Sequence, residues 1–372
     1  MAARPRYPED VAGFSPRRFM IMVNKKERKL SYTQALNEAL RQEMEKDGRV
    51  FVYGLDTADH KAIFGSTAGL AGKFGSQRCF STPLSEDALM GFGIGAALNG
   101  LRPVNIHIRV DFLLLAVNQL INIASSLRYG SNGKISVPLV VRAIIGRGWG
   151  QGYQHSKSMQ SLFAHIPGLK VIMPTTPYDA KGMLVSAIRD NDPVICLEHR
   201  WLYWTEGHVP EDLYTVPLGK GNILRSGKDV TVVATSWMNV EARSAASVLA
   251  KRGIEIEILD PRTIRPLDEK LIIDSVKKTG HCIVADFDWL DCGFSAEVSA
   301  RVSEKCFGEL KSPVTRIGFA PTPCPTTRPL ENLFYPNAVN IIRVVEEKLG
   351  LKKADLSNEN FHTWENKFKG PF

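Results

Sequence analysis

The sequence lacks any long apolar segment. Among 372 residues, of which 44% are hydrophobic, the longest apolar run is Phe112–Val117. A membrane-spanning helix needs roughly 20 consecutive apolar residues, so we expect no membrane association. Residues 1–28 also lack the apolar core of a secretory signal. We interpret them as an N-terminal extension, either disordered or preceding a true domain start near Met20, and an organellar transit peptide has weaker support.

Cysteine pairing and a basic stripe are missing as well. Six cysteines occur without a CxxC pair, which indicates free thiols in a reducing compartment, and we expect a cytoplasmic location. The formal net charge of +8 comes from basic residues scattered along the chain. A nucleic-acid partner is not expected, because binding would need these residues gathered into a patch with interleaved aromatics. The cysteines are Cys79, Cys196, Cys282, Cys292, Cys306 and Cys324.

Apolar strand-like runs alternate with amphipathic helices along two stretches of the chain. Residues 29–205 and 227–350 both show this pattern, which is typical of parallel sheets covered by helices on both faces. Between them, residues 206–226 are polar and contain proline, as expected of a linker. Residues 351–372 are a polar tail. The predicted fold class is therefore α/β, with two successive α/β domains.

Local signals place two helices and a strand near the candidate site residues. Ser31 followed by Gln34 is the signature of a capping box and predicts a helix through about Asp47. A strand is predicted over residues 103–110, followed by a helix over residues 112–129.

Three segments place chemically useful residues where a predicted strand turns into a helix. Ligands bind at such carboxyl ends in open parallel sheets. Glu86 opens a helix rich in glycine and alanine, Phe112 follows a strand, and His155 lies in the glycine-rich loop Gly146–Ser156. Each has an ordinary alternative: a carboxylate favoured by the helix dipole, a core aromatic and a structural histidine. The loop also lacks the Gly-Lys-Ser/Thr ending of a phosphate-binding P-loop.

Taken in order, the motifs of these segments resemble one family. From about Leu30 to Leu349, the sequence is similar to the beta subunit of the decarboxylase component of 2-oxo acid dehydrogenases, of the pyruvate, branched-chain or acetoin type. The resemblance implies a thiamine diphosphate-dependent enzyme of the transketolase superfamily. It also implies a pyrimidine-binding domain followed by a transketolase C-terminal-like domain. The motifs include Thr82-Pro83-x-Ser85-Glu86, Gly91-x-x-x-Gly95-Ala96-Ala97, Asp111-Phe112, Gln154-His155-Ser156, Pro177-x-Asp179-Ala180-Lys181-Gly182 and Asp260-x-Arg262-Thr263-Ile264.

The resemblance implies a role for each of the three candidate residues. Glu86 matches the glutamate that hydrogen bonds to a nitrogen of the aminopyrimidine ring and so helps the thiazolium carbon to lose its proton. Phe112 matches the aromatic residue that stacks on the pyrimidine. His155 matches the histidine that faces the substrate channel, where it handles protons or guides an acyl acceptor. Glu86 and His155 are thus the predicted catalytic residues, and Glu86 and Phe112 the predicted cofactor-binding residues.

Family members often hold a structural potassium ion through backbone oxygens and an aspartate, ligands that suit a hard cation. The alternative is that Asp190 caps a helix end without a metal. Asp192 replaces an asparagine that is more usual in the family. By position, the implied ligands are Leu139, Ala187, Ile188, Asp190 and Asp192.

The magnesium motif that accompanies the diphosphate, a Gly-Asp-Gly turn with a downstream asparagine, is absent from this sequence. In the family it lies on the alpha subunit. The resemblance therefore implies that Mg2+ is bound mainly by a partner alpha subunit and that the cofactor binds between chains. An α2β2 heterotetramer is expected, in which the second domain serves mainly assembly. A lipoyl acyltransferase is a further expected partner.

The sequence departs from the family at two acidic positions, where it has Leu55 and Ile106. The family's acids are thought to relay protons between active sites, so the resemblance does not extend to that relay. On the predicted strand, His107, Arg109 and Asp111 alternate and share one face. His107 and Arg109 are predicted to face the substrate, and Arg109 to hold an anionic group. A salt bridge from Arg109 to Asp111 or to a partner chain is the alternative.

Three functions stay open at this point. The first is decarboxylation of a 2-oxo acid and transfer of the acyl unit, together with an alpha subunit. The second is a carboligase or transketolase-like reaction that transfers an acyl or ketol unit to an aldehyde, ketone or sugar. The third is an inactive assembly subunit, against which the presence of Glu86, Phe112 and His155 argues. The sequence determines neither the 2-oxo acid nor the acceptor.

Overall fold

The structure of the chain is a computed structural model that describes residues 28–147, 150–359 and 361. The predicted N-terminal extension up to residue 27, and residues 360 and 362–372 of the predicted tail, lie outside the described residues. The strands, in chain order, are β1 (Lys29–Ser31), β2 (Val50–Gly54), β3 (Cys79–Ser81), β4 (Arg102–His107), β5 (Val140–Ile145), β6 (Lys170–Ile172), β7 (Val194–His199), β8 (Glu206–His208), β9 (Asn222–Arg225), β10 (Val230–Ala234), β11 (Ile256–Asp260), β12 (Thr263–Arg265), β13 (Cys282–Trp289) and β14 (Thr315–Phe319).

Most of the α-helices alternate with these strands, as the sequence pattern predicts. The chain also forms short 3-10 turns at Leu114–Ala116, Gly152–Gln154 and Arg200–Trp204, and a π-helical turn at Gln119–Ala124. The α-helices are α1 (Tyr32–Lys46), α2 (Leu70–Phe74), α3 (Glu86–Leu98), α4 (Val110–Leu113), α5 (Leu127–Gly130), α6 (Gln160–Ala164), α7 (Pro177–Arg189), α8 (Met238–Ala250), α9 (Glu269–Thr279), α10 (Phe294–Lys305), α11 (Arg328–Phe334) and α12 (Ala338–Lys348).

Two mixed but mainly parallel sheets organise the described chain. The first has seven strands in the order β12-β6-β7-β5-β4-β2-β3, and the second has five in the order β14-β13-β10-β11-β9. Only the edge strands β12 and β9 run antiparallel to their neighbours within these two sheets. The predicted pair of successive α/β domains is confirmed.

The central strand β5 is apolar apart from Arg142, and the packing of its side chains shows why. Val140 and Ile144 pack in the same core as α1 and α7. Val141, Ala143 and Ile145, which alternate with them, pack in the core that contains α3 and α4. Since successive side chains of a strand point to opposite faces, both faces of the sheet are buried against helices.

The predicted capping box at the start of α1 is confirmed. The Ser31 hydroxyl accepts from the Gln34 amide at 3.2 Å, and the Gln34 side chain accepts from the Ser31 amide at 2.9 Å. The helix ends at Lys46, one residue before the predicted end.

The helix predicted over residues 112–129 is broken instead. The segments Val110–Ala116 and Gln119–Gly130 meet at 63°. The second segment opens with the π-helical turn Gln119–Ala124, and turns of this kind are a recognised cause of sharp bends in helices. Within the described ranges no single helix has the length and apolarity to cross a membrane, although these two bent segments pass that test as a pair.

The segment predicted as a linker, residues 206–226, contributes a strand to an edge at each end. Strand β8 pairs with β1, and β9 pairs with β11 in the second sheet. Farther along, β12 leaves the second domain and joins the edge of the first sheet beside β6. Next to it, Arg262 forms a 2.8 Å ion pair with Asp179 of α7. The two domains are therefore connected by strand pairing and charge as well as by the chain itself.

Candidate functional site

The candidate site lies at the carboxyl ends of four neighbouring strands, β3, β2, β4 and β5. The residues that follow these strands line a cavity of about 520 Å³. This volume falls in the range of roughly 300 to 1,000 Å³ that is usual for small-molecule and cofactor sites. All the residues predicted for catalysis, cofactor binding or substrate binding line it, namely Glu86, His107, Arg109, Phe112 and His155.

Glu86 is the first residue of α3 and projects at the cavity from a half-buried position. Its carboxyl group has no hydrogen-bond or ion-pair partner within the described part of the chain. The neighbouring Asp87, in contrast, is exposed and accepts from Gln119 at 3.3 Å. The amide dipoles at the helix N-terminus favour a negative charge at both positions. Glu86 is thus the carboxyl group that is available to a ligand in the cavity.

Phe112 and His155 are in direct ring contact in the lining of the cavity. Their ring centroids are 5.2 Å apart, and the ring planes are inclined by 69°. This edge-to-face contact leaves Phe112 39% exposed, so it is not a core aromatic. The open face of its ring is free to stack on a flat heterocycle.

His107 ends β4 and is buried in the cavity wall. Burial lowers the pKa of His107 to about 4, so the imidazole is neutral near pH 7. Its Nε2 atom has no hydrogen-bond partner in the described ranges. A buried polar atom without a partner is costly, and a ligand group in the cavity would satisfy it.

Arg109 is buried beside the same cavity without a carboxylate partner among the described residues. It donates to the Ile108 carbonyl at 2.7 Å and to the Gln151 side chain at 3.1 Å, while its Nε has no acceptor. Burial lowers the pKa of Arg109 from its ordinary value. The cavity wall therefore contains a buried positive charge that an anionic ligand would compensate.

The alternative in which Arg109 pairs with Asp111 is wrong. Asp111 accepts instead from Lys157 Nζ at 2.9 Å. The predicted shared face of His107, Arg109 and Asp111 fails at its last member, because β4 ends at His107 and the chain turns into α4 at Val110.

Leu55 and Ile106, which replace two family acids, both line the cavity. The floor between them is tight: a Cβ atom on Gly54, whose φ is +152°, would lie 2.3 Å from the Ile106 carbonyl oxygen. Glu86 is the only carboxylic residue among those lining the cavity. Glu86 is therefore the one lining residue that can exchange a proton with a ligand through a carboxyl group.

The predicted potassium ligands lie together around the end of α7, where other cations already contact them. Arg102 donates to the carbonyl oxygens of Ile188 and Asp190, both at 2.9 Å. Lys170 Nζ lies 2.7 Å from the Asp190 carboxylate and 3.2 Å from that of Asp192. The local negative charge is therefore largely balanced by side chains of the protein.

The remaining predicted ligands have backbone partners. The Leu139 carbonyl accepts from the Val194 amide at 2.9 Å, and the Ala187 carbonyl accepts from the Asp190 amide at 3.2 Å. Asp192 also pairs with Arg128. These contacts favour the alternative in which Asp190 ends the helix without a metal, so the residues present fit a potassium ion poorly.

Sequence reasoning did not single out Gln151 and Lys157. Gln151 orients Arg109, and Lys157 neutralises Asp111. Gln151 lies in the glycine-rich loop that carries His155 and Lys157 directly follows it, so proximity to His155 was the available signal. Their partners could not be read from the sequence, because each contact joins the segment after β5 to the segment after β4.

The residues present fit the aminopyrimidine part of thiamine diphosphate. Glu86 offers a free carboxyl group, and Phe112 offers an open aromatic face in a cavity of suitable size. The cavity lining offers few positive charges to the diphosphate, since Arg109 is the only lysine or arginine among the described residues that line it. The fit is thus to one end of the cofactor.

Comparisons with known proteins agree with the resemblance seen in the sequence. Residues 28–205 match the family model "Transketolase, pyrimidine binding domain" and residues 219–341 match "Transketolase, C-terminal domain". The chain is 44% identical to the beta subunit of acetoin:2,6-dichlorophenolindophenol oxidoreductase of Cupriavidus necator, over 84% of this chain and 96% of that protein. It is 41% identical to the 2-oxoisovalerate dehydrogenase subunit beta of Bacillus subtilis, over 86% of this chain and 98% of that protein.

A more distant relative and a solved structure extend the comparison. The mitochondrial pyruvate dehydrogenase E1 component subunit beta of Ascaris suum is 38% identical, over 86% of this chain and 90% of that protein. A solved split-gene transketolase, described as an inactive beta4 tetramer, superposes with a TM-score of 0.70 at 21% identity, over 87% of this chain and 99% of that chain. This last likeness shows the fold alone. The predicted family and fold class are confirmed.

We expect His107 to make the folded chain sensitive to mild acid. Its pKa is about 4 when folded and near 6.5 when unfolded, so as pH falls through this window only the unfolded state gains the proton. Between pH 7 and pH 5 the free energy of unfolding should fall by about 2 kcal/mol more for the parent chain than for His107→Asn. Urea denaturation at both pH values measures this, with the exposed His208→Asn as the control. An equal pH dependence in the parent chain and His107→Asn would contradict the assignment.

Proposed function

The chain belongs to the family of beta subunits of thiamine diphosphate-dependent 2-oxo acid dehydrogenases, and we propose that its cavity forms the cofactor-activating half of the active site. The enzyme decarboxylates a 2-oxo acid and transfers the acyl unit, working with an alpha subunit. The observation that carries this proposal is the meeting of Glu86, Phe112 and His155 around one cavity. These residues come from separate segments of the chain, and the fold gathers them where a ligand would bind.

When bound, thiamine diphosphate would supply an acidic thiazolium carbon, which becomes a nucleophile toward a 2-oxo group once its proton has been removed. In this proposal, Glu86 holds a hydrogen bond to the aminopyrimidine ring, and Phe112 stacks on that ring and fixes its plane. His155, 5.2 Å from Phe112 between ring centroids, faces the reacting end and moves protons or guides the acceptor. The predicted catalytic roles of Glu86 and His155 are supported by this placement.

His107 and Arg109 are the proposed substrate-binding residues. The guanidinium of Arg109 holds the carboxylate of the 2-oxo acid, which compensates its buried charge. The neutral imidazole of His107 offers its unpartnered Nε2 to the 2-oxo oxygen or to a water beside it. Both residues line the cavity, and Glu86 is the only carboxylic residue that lines it with them. The wall therefore favours an anionic donor over a neutral one.

The alpha subunit is proposed to close the open side of the cavity and to bind the diphosphate and Mg2+. Two features support it: the scarcity of cations in the cavity lining, and the exposed apolar rim. Leu84 is 72% exposed and Leu115 is 61% exposed at that rim. Apolar rims of this kind mark protein interfaces. We propose an α2β2 heterotetramer, with a lipoyl acyltransferase as the acceptor-bearing partner.

Three further parts of the proposal have less support. A cytoplasmic location rests on the six cysteines, all of which are free thiols. The domain limits 29–205, 206–226 and 227–350 rest on the sequence pattern. A potassium ion near Asp190 would have to share these oxygens with Arg102 and Lys170, which already contact them.

The alternative function is a carboligase or transketolase-like transfer to an aldehyde, ketone or sugar. Leu55 and Ile106 favour it to a limited extent, because they remove two carboxyl groups of the dehydrogenase family from the cavity wall. The alternative is less supported than the dehydrogenase. Co-purification of the native partner, followed by assays of pyruvate, branched 2-oxo acids and sugar acceptors, separates the two functions.

Glu86→Ala should abolish activation of the cofactor in the assembled enzyme. We expect hydrogen–deuterium exchange at the thiazolium carbon to slow at least roughly 100-fold, since a positioned proton-transfer group contributes about that much. Asp87→Ala is the matched control, because it removes the adjacent exposed carboxylate of the same helical turn. Exchange as fast in Glu86→Ala as in Asp87→Ala would refute the role of Glu86, provided that sedimentation shows both variants assembled.

The chain without its partner should bind thiamine diphosphate weakly. We expect titration calorimetry with Mg2+ to give a Kd at least roughly 100-fold weaker for the isolated chain than for the complex with the alpha subunit, because most diphosphate contacts are then missing. Equal affinity with and without the partner would show that this chain holds the diphosphate itself.

Arg109→Gln should weaken use of an anionic donor selectively. We expect KM for a 2-oxo acid to rise roughly 10- to 100-fold, the loss typical of a charge-assisted hydrogen bond. The rate with acetoin, a neutral donor, should stay unchanged, and Arg109→Lys should recover part of the loss. The exposed Arg49→Gln serves as the control for charge removal. A similar loss with both donors would indicate a structural role for Arg109 instead.

A further inference from the structure

The loop that carries His155 is also held by the second domain. The Tyr335 hydroxyl donates to the Ser156 carbonyl, the next peptide after His155, at 3.1 Å. The Tyr335 ring stacks on Phe287 with centroids 5.1 Å apart and planes inclined by 7°. Burial raises the pKa of Tyr335 well above its ordinary value, so the hydroxyl stays a donor near neutral pH. This hydrogen bond joins a fixed ring of the second domain to the backbone beside the candidate catalytic histidine.

The beginning of the same loop is anchored through Arg147. Its guanidinium lies 4.9 Å from the centroid of the Trp201 ring and 5.3 Å from that of Tyr335. Its Nε is 3.4 Å from a carboxylate oxygen of Glu331, which is fully buried, and the side chain also bonds to Asn332. Cation–π contacts and a buried ion pair therefore attach the loop to α11 and Tyr335.

The middle and the end of the loop contact the second domain as well. A Cβ atom on Gly152, whose φ is +65°, would lie 3.0 Å from the Thr326 hydroxyl oxygen, so the Gly152 backbone packs closely against the Thr326 side chain. After the loop, the Gln160 side chain donates to Asp286 at 2.7 Å. The Ser161 hydroxyl donates to Asp288 at 3.1 Å. The loop is thus held by residues 326–335 at three places, Arg147, Gly152 and Ser156, while Asp286 and Asp288 hold the residues that follow it.

We propose that the second domain positions His155, with Tyr335 and Arg147 as positioning residues of the active site. The hydroxyl of Tyr335 fixes the Ser156 carbonyl, and this in turn fixes the peptide from which His155 reaches the cavity. Arg147 holds the loop at its start, so the described residues 150–155 lie between two anchored points. The second domain then has a role in the reaction besides assembly. This inference rests on the proposed function only for the step that His155 performs.

The test uses Tyr335→Phe in the chain assembled with its alpha subunit. The substitution removes the hydroxyl and keeps the ring that stacks on Phe287. We expect kcat of the complete reaction to fall roughly three- to tenfold, the value of one neutral hydrogen bond. Exchange at the thiazolium carbon, assigned to Glu86, should stay unchanged. The matched control is Tyr214→Phe, which removes a similar 2.8 Å hydrogen bond to the Tyr178 carbonyl outside the loop and should leave kcat unchanged.

A double-mutant cycle separates positioning from a general structural effect. If Tyr335 acts through His155, adding Tyr335→Phe to His155→Gln should cause no further loss of kcat, because the positioned side chain is already gone. An equal fold loss in both backgrounds overturns the proposal. So does an unchanged kcat for Tyr335→Phe alone.

Amide hydrogen exchange gives a readout that does not depend on the reaction. Peptides covering residues 150–158 should exchange faster in Tyr335→Phe than in the parent chain or in Tyr214→Phe. Unchanged exchange in that region overturns the anchoring itself. If loop exchange rises while Glu86→Ala leaves the cofactor carbon unaffected, the anchoring stands and the proposed function fails, so the two failures are distinguishable.

Discussion

The parallel alignment of β3, β2, β4 and β5 is the constraint on which the rest of the site depends. Because these neighbouring strands run in one direction, their carboxyl ends meet at one edge of the sheet. Glu86, Phe112 and His155 follow three of these strands and so line a common cavity although they are far apart in the sequence. The apolar faces buried by α1, α7, α3 and α4 hold the strands in register and keep this edge rigid.

The charge pattern of the cavity follows from what the strands place there. Leu55 and Ile106 leave Glu86 as the single carboxyl group of the lining, while Arg109 adds a buried positive charge whose neighbour Asp111 is already neutralised by Lys157. A buried charge without a partner is expensive, and an anionic ligand relieves it. This charge pattern supports the proposed binding of a 2-oxo acid, and it is set by side chains at the ends of three neighbouring strands, β2, β3 and β4.

The second domain contributes to the site through the glycine-rich loop. Its buried Glu331 and Tyr335 contact Arg147 and Ser156, on either side of His155. Strand β12, which belongs to the second domain by sequence, completes the edge of the first sheet. The two domains are thus in direct contact at the loop and at the sheet edge. These contacts support the proposed role of the second domain in positioning His155, besides the assembly role that the sequence predicts.

The sequence by itself determined the alternation of strands and helices, the capping box at Ser31, the family, and the candidate residues Glu86, Phe112 and His155. These are properties of local pattern and of motifs in a fixed order. It did not determine the break in the helix after Phe112 or the partner of Asp111. Nor did it reveal that Tyr335 reaches Ser156. Those features were decided by tertiary structure alone, because a hydrogen bond, an ion pair or a bend depends on which distant segments pack together, and no local pattern encodes that distance.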